Sequence, residues 1–490
     1  MRREYWYMLA AALVGLPALY AQFTHMHLYE TAPVTGIFLF GAAIVGAAFL
    51  LTWGAELAEL EMSPNLALVV LALVAVLPEY AVDIYLAYTA GTFTPTEAEP
   101  VNKYQALALA NMTGANRILI GIGWPVVAII SWFRFGRSAI QLELARSADI
   151  FWLGAATLYS FLIPIKQTIT VVDTVILLAL YGTYLWTCSR VPSRESHLVG
   201  PAALVGMLPR RPRVIATWAF FLWAGVVIYI SSHPFAESLI AAGQSLGIDE
   251  FLLVQWLAPL ASESPEFLAV ILLTLKGAAT DGMGALVSSK VNQWSLLVGM
   301  VPLAYAIGHM RQHGAWEGGF RLDPRQTEEL ILTSAQSIFA IASIMSYRFR
   351  LRDAWLLLGL FFLQLIVTIA LEEQAKVTND HRPITTWHYM VSVLYVVIAV
   401  FHFIEYRRFI PAIFRGAFYL DAKTYGQVMT GVHAADLGTK AEAGPEAIPA
   451  PTETMPADEP LPGVAPPPVE EPSDEELPEV TTEGHGPEPR

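Results

Sequence analysis

The stretch "LAPLASESPEFLAV", residues 257–270, decides how this sequence is interpreted. It lies inside a long apolar run, yet it carries Glu263 and Glu266, three residues apart, with Pro265 between them. On a helix, this spacing places both carboxylates on one face. A proline removes a backbone donor and kinks the helix that contains it. The stretch therefore predicts two acidic groups beside a bent helix in the most apolar part of the chain.

The composition around this stretch is that of a membrane protein. Of the 490 residues, 55% are hydrophobic and only 15% are charged, and a helix that spans a bilayer needs about 20 apolar residues. We predict an all-α polytopic membrane protein with about twelve helices, near 5–22, 33–58, 64–90, 104–131, 149–164, 168–187, 213–243, 250–275, 280–308, 328–347, 353–371 and 388–405. The first could be a signal peptide, but no small-residue cleavage site follows it, which favours a retained helix.

Charge is distributed unevenly along the chain. The formal net charge is −14, but residues 421–490 contain fifteen acids and three basic residues, so the remainder is near −2. This acidic segment is rich in Pro and Glu, which predicts a disordered tail. With twelve spans, the basic clusters of the remainder all fall on one side: Arg2/Arg3, Arg134/Arg137, Arg190 to Arg213, Arg348/Arg350/Arg352 and Arg407/Arg408. The positive-inside rule makes this side, together with both termini, cytoplasmic.

Two stretches of the membrane region recur. "AVLPEYAVDIYLA", residues 75–87, resembles "SESPEFLAVILLT", residues 262–274, and both place Pro-Glu-aromatic inside a span. "MTGANRILIGIG", residues 112–123, aligns with "SSKVNQWSLLVG", residues 288–299, at a constant offset of 176. This register pairs Thr113 with Ser289, Asn116 with Asn292, Arg117 with Gln293 and Gly123 with Gly299. The chain therefore contains an internal repeat.

The repeats are predicted to be inverted, because the first Pro-Glu helix is the third span and its counterpart is the eighth. Inverted repeats with proline-broken helices are typical of secondary transporters, whose sites lie near the membrane midplane. The predicted organisation is an extra helix and loop (1–32), a five-helix repeat (33–187), a cytoplasmic linker (188–212), a second five-helix repeat (213–371), a loop and extra helix (372–420) and the acidic tail (421–490).

Several polar side chains fall at membrane depth in these repeats. Ionisable groups inside a membrane are costly, on the order of 2.5–3.5 kcal/mol each on insertion scales, so a large set of them indicates function. Kinked helices free backbone carbonyls, and carboxylates add charge. Together they form a hard oxygen site of the kind that Na⁺ or Ca²⁺ requires.

At these residues the sequence resembles the sodium/calcium exchanger superfamily of cation antiporters, over about residues 33–371. That family carries a G-T-S-x-P-E-like motif and a G-S-N-x-x-N/D-like motif in each repeat. The resemblance implies alternating access at a central site whose principal acids are Glu79 and Glu266. The implied ligand set is Glu79, Glu266, Glu263, Ser262, Thr113, Asn116, Ser289, Asn292 and Gln293, with Asp83, Arg117 and Lys290 as charge partners.

The sequence also departs from the family pattern. Ala75 and Val76 replace the first Thr-Ser pair, and Glu263 is an additional acid at a position usually held by a hydroxyl. The offset of 176 puts Arg117 and Gln293 at the Asn/Asp ligand positions, whereas aligning "GAN" at 114–116 on G-S-N puts Leu119 there instead. We prefer the first register and predict that Arg117 pairs with Glu263, or failing that with Glu266. Lys290 either carries a proton in the site or reaches the cytoplasmic interface.

These observations predict a cation antiporter of the cell membrane that exchanges Ca²⁺ or Na⁺ for H⁺ or Na⁺. The alternative is a non-transporting membrane sensor or scaffold in which Arg117 occupies the ion site. An intramembrane hydrolase is disfavoured, because the sequence lacks H-E-x-x-H and G-x-S-x-G motifs, and the protein is not predicted to be an enzyme. The expected partners are the lipid bilayer and the transported cations; no cofactor, nucleic acid or protein partner is predicted.

Overall fold

The computed structural model describes residues 2–60, 77–94, 102–190, 198, 200–378 and 380–418, and helices dominate them. The predicted tail, residues 421–490, lies outside the described residues. The α-helices, in chain order, are α1 Arg2–Leu13, α2 Leu16–Phe23, α3 Leu28–Thr31, α4 Pro33–Glu59, α5 Leu77–Thr92, α6 Lys103–Ile118, α7 Trp124–Phe135, α8 Ser147–Ser160, α9 Leu162–Lys166, α10 Val171–Cys188, α11 Pro201–Gly206, α12 Arg210–Leu246, α13 Glu250–Leu275, α14 Ala279–Asn292, α15 Val298–His313, α16 Pro324–Ile344, α17 Leu351–Thr378, α18 Arg382–Tyr406 and α19 Ile410–Phe418.

Short elements connect these helices. Two π-helical turns, Leu119–Gly123 and Gln293–Leu297, join α6 to α7 and α14 to α15. Two 3₁₀ turns, Leu144–Arg146 and Arg407–Phe409, precede α8 and α19. Four three-residue strands complete the described fold: β1 Ala139–Gln141, β2 Thr168–Thr170, β3 Gly319–Arg321 and β4 Arg348–Arg350.

The predicted spans correspond to these helices. In the described part of the chain, nine helices are long and apolar enough to cross a membrane, or ten when the bent α13 is counted as one span. Two of the twelve predicted spans are not among these ten. One is 64–90, of which the structure describes only α5, and the other is 328–347, which corresponds to α16. The apolarity of α16 is low because buried polar side chains occupy much of it. The first predicted span is divided into α1 and α2, which are separated by a turn at Val14 and Gly15.

The helix that contains the opening stretch is bent as predicted. The segments Glu250–Ser264 and Glu266–Leu275 of α13 differ in direction by 53°. The bend falls at Pro265, which has no backbone N–H to continue the helical hydrogen bonds. Glu263 and Glu266 therefore lie on either side of a kink.

The described elements recur in the same order in two halves of the chain. Helices α4, α5, α6–α7, α8 and α10 are followed by α12, α13, α14–α15, α16 and α17, with a π turn and two strands at matching places in each half. Helices α7 and α15 both end at a left-handed glycine, Gly136 at φ 68° and Gly314 at φ 67°. The strands pair between the halves, β1 antiparallel to β4 and β2 antiparallel to β3. This order agrees with an internal repeat; the inverted orientation stays a prediction.

Three of the predicted basic clusters lie at one end of the described fold. The β1–β4 pairing places Gln141, a few residues after Arg137, beside Arg348. Arg350 and Arg352 both contact Glu405, which directly precedes the cluster at 407–408. These three clusters therefore lie together, as the charge pattern predicts; the placement of the other two clusters and the assignment of this side to the cytoplasm stay predictions.

Glycines allow helices of the two halves to approach closely. A Cβ atom added to Gly114 of α6 would lie 1.7 Å from the backbone oxygen of Gln255 in α13. Backbone cannot yield as a flexible side chain does, so any larger residue at 114 would separate α6 from α13.

We expect Gly114→Ala to lower the free energy of unfolding by about 1–3 kcal/mol, the usual cost of overpacking. The measurement is thermal unfolding of the purified protein in detergent. Gly359→Ala is the matched control, because a Cβ there meets nothing within 4 Å and alanine favours a helix over glycine by about 0.5–1 kcal/mol. Equal melting temperatures for Gly114→Ala and the parent protein would contradict the close approach.

Candidate functional site

Glu79 and Glu263 form the centre of the predicted site. Helix α5 carries Glu79 in its first described turn, and α13 carries Glu263 just before its bend. The two residues are 4% and 1% exposed. Their Oε1 atoms accept from one and the same side chain of a third helix, whereas their Oε2 atoms have no hydrogen-bond partner among the described residues. The acids from the two halves thus meet in a buried place.

Gln293 joins the same two acids from a third helix. Its Nε2 donates to Oε1 of Glu79 at 3.1 Å and also to Oε1 of Glu263. Gln293 is the first residue of the π turn after α14 and is fully buried. π turns inside α-helices occur often at functional sites, because the additional residue redirects side chains. The amide of Gln293 therefore holds the Glu79–Glu263 pair in place.

Glu266, Ser289 and Asp83 extend this group. The hydroxyl of Ser289 donates to Oε2 of Glu266 at 3.0 Å. Asp83, one turn after Glu79 on α5, accepts a hydrogen bond of 2.7 Å from Nδ2 of Asn111. Asp83 is 1% exposed. Buried polar groups require such partners, and here they are contributed by α5, α6, α13 and α14.

Lys290 lies in the interior of the protein. Its Nζ donates to Oδ1 of Asn116 at 2.7 Å and to the backbone oxygen of Asn116 at 3.1 Å, and it lies 4.5 Å from the ring centroid of Trp294. The residue is fully buried. Of the two predicted positions for Lys290, the structure therefore supports the one beside the predicted ligands and not the one at the cytoplasmic interface.

The predicted pairing of Arg117 with Glu263 or Glu266 is wrong. The guanidinium of Arg117 instead forms a buried salt bridge with Glu329 of α16, through Nη1 and Oε2. It also lies 4.8 Å from the ring centroid of Trp256. An arginine requires a carboxylate when it is buried, and α16 supplies one that lies outside the predicted ligand set.

The π turns explain this error. They begin at Leu119 and Gln293, which are 174 residues apart instead of 176. This spacing favours the register that aligns "GAN" at 114–116 with "SSK" at 288–290. Asn116 then corresponds to Lys290, the residue that it contacts, and Leu119 takes the ligand position opposite Gln293. Arg117 lies outside the ligand positions in this register, in agreement with its bond to Glu329.

The other predicted ligands are less closely assembled. Thr113 donates to the backbone oxygen of Leu109 at 2.7 Å, and Ser262 donates to the backbone oxygen of Pro259 at 3.2 Å, each within its own helix. Asn292 accepts from the hydroxyl of Tyr80 at 3.2 Å. Among the residues that the structure describes, no group of three or more His, Cys, Asp or Glu side chains is placed to hold a metal ion. The nine predicted ligands thus do not form one closed set.

Sequence reasoning missed the acids of α16. Glu328 and Glu329 are each 3% exposed, and both lie in a helix that was predicted to span the membrane. The signal was present, because paired ionisable residues inside a predicted span are costly and indicate function. Their partner His388 lies on α18, which was predicted to be an addition to the core.

The sequence profile of the family described as "Sodium/calcium exchanger protein" matches residues 32–190 and 216–370. The chain belongs to the sodium/calcium exchanger family. The matched residues include every predicted ligand and both halves of the fold. The protein is therefore a polytopic membrane antiporter of cations, and the predicted resemblance, fold class and transport class are confirmed. The twelve-helix count and the individual ligands stay predictions.

Solved structures extend this family assignment. The structure titled "Crystal Structure of H+/Ca2+ Exchanger CAX" is 35% identical in sequence and has a TM-score of 0.76; the match covers 87% of this chain and 99% of that one. A structure titled "Structure of native YfkE" is 10% identical with a TM-score of 0.52, and the match covers 73% of this chain and 97% of that one. The second match supports the fold alone. No curated protein matches the chain.

Proposed function

We propose that this exchanger moves Ca²⁺ in exchange for H⁺ at the carboxylates of Glu79, Glu263 and Glu266. The observation that carries the proposal is that the buried carboxyl groups of Glu79 and Glu263 both accept a hydrogen bond from Nε2 of Gln293. Two carboxyl groups brought to one buried amide repel each other when both are charged, so the pair binds a proton, and without that proton it binds a hard divalent cation through oxygen. Protons and Ca²⁺ therefore compete for the same oxygens.

The charges of the site suit this exchange. Beside the three carboxyl groups, the site contains one buried basic side chain, Lys290, whose Nζ is held by Asn116. If Lys290 is protonated, the four side chains together have a charge of −2 once all carboxyl protons are lost. One Ca²⁺ or two protons would neutralise that charge. Asp83 accepts a hydrogen bond from Asn111, and we assign it a supporting role.

The similarity to the structure titled as an H⁺/Ca²⁺ exchanger supports the same pair of ions, since the match covers nearly all of that chain. Na⁺ is the second candidate counter-ion, because carboxylate and amide oxygens also bind Na⁺ and the family description names sodium. Transport measurements with a H⁺ gradient and with a Na⁺ gradient, each in turn, decide which counter-ion is exchanged for Ca²⁺.

Alternating access would require one part of the protein to move against another. Helix α4 packs along α12, and α12 is joined to the ligand-bearing helices by Glu237, whose Oε1 accepts from Tyr85 of α5 at 2.6 Å and Tyr104 of α6 at 3.1 Å. We propose that α4 and α12 form the moving unit and that these two hydrogen bonds break and re-form during the cycle.

The expected result for the purified protein in proteoliposomes is uptake of ⁴⁵Ca²⁺ driven by an outwardly directed H⁺ gradient. A proton-conducting ionophore should abolish this uptake, because it removes the gradient without touching the protein. A Na⁺ gradient of the same size at equal pH should drive little uptake. The reverse pattern, with Na⁺ effective and H⁺ ineffective, would replace H⁺ by Na⁺ in the proposal.

A non-transporting sensor or scaffold was the alternative prediction, and it depended on Arg117 filling the ion site. Arg117 binds Glu329 instead, so this alternative has lost its supporting observation. Absence of flux under every gradient, from vesicles shown to be sealed, would restore it.

A further inference from the structure

A second buried polar cluster lies away from the carboxylates of the proposed ion site. His388 of α18 places its Nδ1 3.3 Å from Oε1 of Glu328 and 3.9 Å from Oε1 of Glu329, both on α16. The other ring nitrogen, Nε2, is 2.9 Å from Oγ1 of Thr368 on α17. His388, Glu328 and Glu329 are each at most 3% exposed. Three helices thus enclose two acids and an imidazole.

Arg117 compensates only one of the two acids. Its guanidinium binds Glu329, whereas Oε2 of Glu328 has no hydrogen-bond partner among the described residues. The neighbouring cation, Arg325, is bound to Asp249 at 2.8 Å and to Glu372 at 2.9 Å. A buried carboxylate without compensation is costly, so Glu328 and His388 must share one proton for the cluster to be neutral.

We propose that Glu328 and His388 form a proton-binding site, separate from the carboxylates that bind the cation, which takes up and releases one proton during the exchange cycle. The proton lies on His388 Nδ1, which faces Oε1 of Glu328, and its release leaves one negative charge on the pair. No covalent bond changes. The assignment rests on the proposed function, because it makes H⁺ the counter-ion.

Helix α6 connects this site with the proposed cation site. Asn116 contacts Lys290 beside the cation-binding carboxylates, and the next residue, Arg117, contacts Glu329. Losing the shared proton adds negative charge next to Arg117 and Glu329. Because Asn116 and Arg117 are consecutive on one helix, a shift of α6 in response to the charge beside Arg117 also moves the amide that holds Lys290. This contiguous route can couple the two sites.

The groups that face His388 determine how its proton responds to pH. Glu328 and Glu329 on α16 and Thr368 on α17 contact the ring. The charged groups beyond them are Arg117 on α6, which binds Glu329, and Arg325 on α16, which binds Glu372 on α17. Two of the acids, Glu329 and Glu372, already have arginine partners. Glu328 is therefore the acid whose removal should change the protonation of His388 most.

The first test uses nitrogen NMR of histidine-labelled protein in lipid bilayers. The resonance that disappears in His388→Gln should show the imidazolium form when the pair holds its proton and the neutral imidazole form when the pH is raised to remove it. In Glu328→Gln it should show the neutral form alone. His402→Gln is the control, because His402 lies on the same helix but is bound to Asp353 at 3.2 Å; it should leave the titration intact.

An unchanging His388 resonance in the parent protein would overturn the proposal. If His388→Gln does not fold, Glu328→Gln serves alone. It should then convert exactly one titrating histidine to a neutral one, and a spectrum identical to that of the parent protein would contradict the shared proton.

The second test separates this inference from the proposed function. In Glu328→Gln, ⁴⁵Ca²⁺ uptake driven by a pH gradient should fall by about tenfold or more. Exchange of ⁴⁵Ca²⁺ for unlabelled Ca²⁺, which requires no net proton movement, should persist. Glu79→Gln should lose both activities. If Glu79→Gln loses both activities while Glu328→Gln keeps both, the second proton site is refuted and the proposed cation site stands. If Glu79→Gln keeps both activities, the proposed cation site is refuted.

Discussion

Glu79→Gln, Glu263→Gln and Glu266→Gln should each abolish Ca²⁺ exchange, with turnover falling by at least about a hundredfold. The physical reason is that glutamine keeps the size and one oxygen of the side chain but can hold neither the proton nor the negative charge that Ca²⁺ requires. Flux of ⁴⁵Ca²⁺ into proteoliposomes measures the loss.

The three variants should still fold, because glutamine can accept the same hydrogen bonds from Gln293 and Ser289. Glu373→Gln is the matched control: its carboxylate is exposed and contacts Lys376 at 2.7 Å, so this variant should transport like the parent protein. Retained exchange in both Glu79→Gln and Glu263→Gln, at equal amounts of reconstituted protein, would show that these carboxylates are not the ligands.

Arg117→Gln should lower the free energy of unfolding by about 3–5 kcal/mol, because it leaves Glu329 charged and buried without a partner. The double variant Arg117→Gln/Glu329→Gln should be less destabilised than Arg117→Gln, since neither charge remains. Thermal unfolding in detergent measures both. The expected coupling energy is about 1–3 kcal/mol.

The double variant Arg117→Gln/Glu263→Gln is the informative control for this cycle. Arg117 forms no described contact with Glu263, so the two substitutions should act additively. If Glu263→Gln restored the stability of the Arg117→Gln variant and Glu329→Gln did not, the structure would be contradicted. Arg117 would then be assigned to the cation site. The cycle therefore decides between the pairing predicted from sequence and the one in the fold.

The sequence determined the features that depend on local chemistry. Long apolar runs require membrane helices, and Pro265 requires a kink because it lacks a backbone donor. The acids beside that kink were identified for the same reason: an ionisable group inside a span is too costly to be incidental. The Pro-Glu pattern, which recurs in both repeats, also indicated the family from the sequence alone.

The sequence determined only in part how the two repeats align with each other. Two alignments of residues 112–123 with 288–299 were possible, and the one preferred from sequence differs from the one that the π turns favour. The two registers differ by two residues, which on a helix rotates a side chain by more than half a turn. The π turns at Leu119 and Gln293 favour the offset of 174, and π turns leave little signal in the sequence because their hydrogen-bond shift depends on packing.

Tertiary structure alone decided which charges meet. Arg117 and Glu329 are far apart in the chain, and so are Glu328 and His388. A buried ion requires some partner, which sequence reasoning established for Arg117, but several acids satisfied that requirement equally well. The packing of α16 between α6 and α18 selected Glu329 and Glu328, because contact across helices depends on their crossing and rotation, and no local pattern specifies these.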